Sequence, residues 1–145
     1  MTEVTRSQSP AAVAATAPSR TPLSVIAGRI ISGLGAVLLT LDMGMKLGGV
    51  KQAIEGTVQL GYPVGMVFPL GVMQLVCLVL YLIPRTAPIG ALLMTGYLGG
   101  AVATHVRIGN PLFTHILSPV YFAIILWGGL YLRDPRVRAL LRPAR

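Results

Sequence analysis

Charge is the scarcest thing in this sequence. Asp, Glu, Lys and Arg make up 11% of its 145 residues, where a soluble domain carries about 25%. The shortage is uneven: residues 56–84, 86–106 and 108–132 contain none of the four. Each run exceeds the roughly 20 residues that a helix needs to cross the hydrocarbon of a bilayer. A helix of a water-soluble bundle keeps a polar face, and these stretches offer no charged one. A soluble fold is excluded on that ground, and the runs read as membrane spans.

Cysteine is almost missing. Cys77 is alone and sits inside an apolar run. An intrachain disulfide and a CxxC redox pair are both excluded, and the residue reads as a small core side chain. No HxxxH or ExxH spacing occurs, so no metal site is expected. No haem or cluster motif occurs either, so no residue of this chain holds electrons. Acids are few as well: four against twelve Lys and Arg, for a net charge of +8. A basic balance can mark a nucleic-acid binder. Here the charges lie at segment ends, where membrane topology accounts for them, and no nucleic-acid partner is expected.

What is present predicts an all-α protein, a four-transmembrane-helix bundle with a disordered N-terminal tail. Residues 1–22, rich in Ala, Ser, Thr and Pro, read as a disordered cytoplasmic tail rather than a cleaved signal. Residues 23–132 form the membrane domain, and 133–145 a basic cytoplasmic tail. Helix one is expected over Leu23 to Leu47, and helix two over Pro63 to Ile83, stopped by Pro84. Helix three is expected from about Thr86, and helix four from Asn110 as N-cap and Pro111 as first residue to Leu132. Val50 to Leu60 can make a short amphipathic helix on the membrane surface. With four spans the termini share one side. Nine arginines fall there (Arg6, Arg20, Arg29, Arg85, Arg133, Arg136, Arg138, Arg142 and Arg145), against Lys46, Lys51 and Arg107 opposite. The positive-inside rule then predicts a plasma (inner) membrane protein with both termini cytoplasmic. Tyr81, Trp127 and Tyr131 are expected at that interface.

Two features stand out inside the spans. Small residues recur every fourth position in helix one, at Gly28, Ser32, Ala36, Thr40, Gly44 and Gly48, and again in helix three at Gly96, Gly100 and Thr104. Such rows let helix backbones approach closely in lipid. Polar groups gather on the side opposite the termini: Asp42, Lys46, Gln74, Tyr97, His105, Arg107 and His115. Pro69 and Pro119 would each free a carbonyl in the same half, at Gly65 and His115, and freed carbonyls in lipid need partners. An outward-facing polar pocket is expected from these residues. The plainer alternative is an Asp42–Lys46 pair one turn apart with interfacial histidines.

The order LDMGMKL, QLGYP, YLIPRTAPIGALLMTGYLGGAVATHVR, NPLFTH and YLRDPRVRALL resembles the DoxX-like family of small four-helix bacterial membrane proteins, over about residues 25 to 142. The resemblance implies the four-helix fold. It also implies an association with quinone-linked or oxidative-stress membrane complexes, since the family takes its name from a subunit of an archaeal quinol-oxidase system. It carries over no catalytic residues. Three functions follow as expectations. The first is an accessory or redox-associated subunit packing on a membrane partner or a second copy. The second is a quinone-binding oxidoreductase component using His105, Asp42 and Tyr97. The third is a small transporter coupling protons through Asp42.

Overall fold

The computed structural model describes residues 22–140, and among these it contains helices and no strand. They are α1 (Leu23–Leu47), α2 (Lys51–Gln59), α3 (Val67–Leu82), α4 (Ala87–Arg107), α5 (Ser118–Arg133) and α6 (Pro135–Leu140). A 3-10 turn, Val64–Met66, leads into α3, and a π-helical turn, Leu112–Ile116, precedes α5. Four pieces are long and apolar enough to cross a membrane: Leu23–Leu47, Val64–Leu82, Ala87–Arg107 and Leu112–Arg133. Most of the expected N-terminal tail, with Arg6 and Arg20, and the last residues, with Arg142 and Arg145, lie outside the described residues.

Two different chemistries stop the helices. α1, α2 and α4 all end in the same glycine closure, at Gly49, Gly61 and Gly109, whose φ values are +63°, +86° and +71°. In each, the next residue's N–H returns to a carbonyl five residues back: Val50 to Met45 at 2.9 Å, Tyr62 to Thr57 at 3.2 Å and Asn110 to His105 at 3.1 Å. This is the Schellman arrangement, which needs a left-handed residue and so favours glycine. α3 and α5 stop instead before proline. Ile83 and Asp134 are extended, as the residue before Pro84 and Pro135 prefers to be.

The spans run up and down, so each helix packs antiparallel on its neighbours. α1 packs on α3 and α5, and α4 packs on the same two. At the end holding Pro84 and Pro135 the backbones touch. A Cβ added to Gly28 would lie 2.8 Å from Gly129 O and Arg133 N of α5. One added to Gly90 of α4 would run into the backbone N of Tyr81 on α3. Between these crossings sits Tyr81, wholly buried, its hydroxyl 2.9 Å from Ser32 Oγ and 3.0 Å from Leu126 O. Tyr81, expected near the membrane interface, has its ring sealed between the helices by close glycine packing. Trp127 is half-buried and donates its ring N–H to Thr95 Oγ1 at 2.8 Å.

The outside of the bundle is apolar all round. Ile30 is 66% exposed, Phe68 60%, Leu92 63% and Ile124 63%, one from each span. In water such a surface would aggregate; in lipid it is the solvated one. The chain is a multi-pass membrane protein.

Two helix starts differ from the sequence expectation. Asn110 caps nothing, and the turn after Pro111 is π-helical. Pro119 falls in the first turn of α5 and Pro69 in the first turn of α3. Missing N–H groups are harmless there, so neither proline breaks a continuous helix. The His115 carbonyl accepts a hydrogen bond from Ser118 Oγ at 3.1 Å. At the other terminus, part of the expected basic tail is ordered: α6 folds back with Val137 only 2% exposed.

Candidate functional site

Opposite the sealed end the helices part around a cavity of about 970 Å³. Its floor is built on Gln74, a wholly buried amide in α3. A buried amide must be hydrogen-bonded or it destabilises the fold by about 1–3 kcal/mol. Gln74 Nε2 donates to Leu39 O at 3.0 Å, while its Oε1 accepts from Tyr97 OH at 3.0 Å and Lys46 Nζ at 3.1 Å. Lys46 also pairs with Asp42 one turn earlier and lies 5.9 Å from the Tyr97 ring centre. One buried amide thus joins α1, α3 and α4. Two of the three ammonium hydrogens are used; the third remains for a bound molecule.

The mouth is histidine-lined. Asn110 Nδ2 lies 2.7 Å from His105 Nδ1. An amide NH2 only donates, so His105 Nδ1 accepts and its proton sits on Nε2. The glycine closure at Gly109 produces this contact, because that motif folds the residue after glycine onto the one five places back. The His105 and His115 rings meet edge to face with centroids 5.8 Å apart, and His115 Nδ1 is 2.8 Å from Thr114 Oγ1. Tyr62 OH is 3.1 Å from Thr104 Oγ1. The threonine hydrogen is already given to Gly100 O at 2.8 Å, so the tyrosine donates.

Of the seven polar residues singled out in the sequence, Asp42, Lys46, Gln74, Tyr97, His105 and His115 line this one cavity. Arg107 does not. Its Nη2 donates to Leu60 O at 2.9 Å, at the C-terminal end of α2, where a cation satisfies a free carbonyl. It ties α2 across the mouth, and α2 contributes Gln52, Ala53, Gly56 and Thr57 to the wall. Sequence reasoning also left out Thr104 and Phe122, which line the cavity too, as does Cys77.

The small-residue rows divide in two. Gly28, Ser32 and Ala36 are buried, the first two against α5. Thr40, Gly44 and Gly48 are exposed. In α4, Gly96 and Gly100 pack against nothing: no atom lies within 4 Å of an added Cβ, and both line the cavity. Within this chain they pack against no other helix, and leaving out two side chains here leaves space. Among the described residues no group of three or more His, Cys, Asp or Glu comes together.

The sequence profile of the DoxX-like family matches residues 30–129. This chain belongs to that family. The match takes in all four spans, from the second turn of α1 to near the end of α5, and with them the cavity floor and both histidines. No curated protein and no solved structure matches the chain. Membership of the DoxX-like family therefore fixes a membrane protein of loosely defined activity, and the cavity is what is left to interpret.

Proposed function

We propose that this chain is an accessory, redox-associated subunit of a membrane complex, and that its contribution is to hold a lipid-soluble molecule with a carbonyl-bearing head, a quinone, in the cavity. The carrying observation is the cavity itself: apolar walls with free donors at Lys46 Nζ and His105 Nε2. A quinone offers two carbonyl acceptors on a flat ring and an apolar tail, and sites of this kind combine an apolar slot with a few convergent polar groups. The chain carries no electron-holding group of its own, so a partner supplies and removes the electrons. The membrane is the plasma membrane and the termini are cytoplasmic, as the arginine asymmetry supports.

Titration with a short-tailed benzoquinone tests the reading. The purified protein in detergent should unfold at a higher temperature as the quinone is added, because a ligand of the folded state stabilises it. The His105→Ala variant should lose most of that rise. Equal stabilisation of the variant and the parent would remove the basis for the reading.

The exposed Thr40–Gly44 face of α1 favours a protein partner or a second copy packing there, since no atom lies within 4 Å of a Cβ added at Gly44. Gly44→Leu should then shift the size of the complex extracted from native membranes. The transporter reading has less support, because Asp42 is engaged by Lys46.

A further inference from the structure

The sealed end of the bundle carries an unbalanced charge. At the cavity end Lys46 pairs with Asp42, Lys51 with Glu55 at 3.7 Å, and Arg107 is spent on a carbonyl. At the sealed end the described residues place Arg29, Arg85, Arg133, Arg136 and Arg138 against one acid, Asp134. Asp134 is itself occupied. Its Oδ1 accepts the backbone N–H of Arg136 at 2.9 Å, capping α6, and lies 3.9 Å from Arg136 Nε, and its side chain is only 12% exposed.

Three of these arginines surround a second pocket, of about 260 Å³. Arg133 is held in place by its hydrogen bond to Tyr81 O at 3.1 Å and by the Tyr81 ring, 4.9 Å away. A guanidinium has five N–H donors, so others remain. Arg29 and Arg136 complete the rim and are exposed. Ala87, the first residue of α4, forms part of the wall. That helix start has no side-chain cap: the Thr86 backbone is near-helical rather than extended, and its hydroxyl donates back to Leu80 O at 2.8 Å. Its free N–H groups and positive dipole end thus add to the field of the guanidiniums. Pro84 and Leu130 supply apolar wall, and Ile26 and Ile30 of α1, 43% and 66% exposed, flank Arg29.

We propose that this pocket binds the phosphate headgroup of an anionic phospholipid, with the acyl chains lying on the exposed apolar surface beside it. Three guanidiniums against one carboxylate select an anion. The position at the ends of the spans is headgroup depth, and basic pockets between membrane helices hold such headgroups. The apolar flank distinguishes a lipid from free phosphate.

Native mass spectrometry of the full chain in detergent, titrated with phosphatidylglycerol, phosphatidylcholine or inorganic phosphate, tests the site. Among the described residues the Arg29 side chain makes no hydrogen bond or ion pair, and Arg136 makes only a long, exposed ion pair to Asp134 at 3.9 Å, so Arg29→Gln and Arg136→Gln leave the fold intact. Phosphatidylglycerol should bind the parent at lower concentration than phosphatidylcholine. Each substitution should raise its midpoint about five-fold, and the pair about 25-fold. Lys51→Gln, which removes the same charge at the other end, should change nothing. Unaltered phosphatidylglycerol binding in the double variant, or an equal loss in Lys51→Gln, overturns the proposal. So does complete displacement of the lipid by millimolar inorganic phosphate.

Discussion

The same residue does opposite work at the two ends of this bundle. At the sealed end glycine removes space: Gly28, Gly90 and Gly129 let backbones touch, and Tyr81 is locked between them. At the cavity end glycine keeps space: Gly96 and Gly100 face an opening that no side chain fills. α4 carries both kinds on one helix, Gly90 against the Tyr81 backbone and Gly100 beside Thr104. A small residue in a membrane helix therefore says that something large is absent, and only the neighbouring helix decides whether a backbone or a ligand takes its place.

The largest effect expected from this contrast is at Gly90. Gly90→Ala puts a methyl group into the α3 backbone and should destabilise the protein by about 3 kcal/mol, read as a large fall in unfolding temperature in detergent. A neutral result would mean that the α3–α4 crossing is looser than described. Next comes the cavity floor. Gln74→Leu strips Lys46 and Tyr97 of an acceptor and leaves Leu39 O without its donor, a cost of about 2 kcal/mol. Thermal unfolding with and without quinone separates that loss from any loss of binding. Tyr81→Phe removes only the hydroxyl shared with Ser32 and Leu126 O. In a membrane protein such a bond contributes about 0.6–1.7 kcal/mol, and the fall in unfolding temperature should be correspondingly small. Smallest in stability is Gly100→Leu, within about 0.5 kcal/mol of the parent, because the new side chain meets no atom at its Cβ.

Much of the fold was legible in the residues because lipid imposes few solutions. Three uncharged runs marked the last three spans, the twelve uncharged residues between Arg29 and Asp42 marked the first, and Pro84 fixed one helix end. Six polar residues converge on the cavity because alternate spans bring the same ends together. What stayed hidden was direction. A soluble helix announces its inner face by its apolar stripe, but a helix in lipid is apolar outside as well. Hence nothing in the sequence separated Gly28, which packs, from Gly100, which faces a void, or told that Arg107 turns to Leu60 O rather than to the cavity. The contact of Asn110 with His105 did have a signal: a glycine at 109 that closes α4 folds the next residue back onto it.

Occlusion tests the central claim most directly. Gly99 and Gly100 are adjacent and both have open space around an added Cβ, yet only Gly100 lines the cavity. Quinone binding should vanish in Gly100→Leu and persist in Gly99→Leu, with both variants as stable as the parent. If Gly100→Leu binds quinone like the parent, the cavity is not the site.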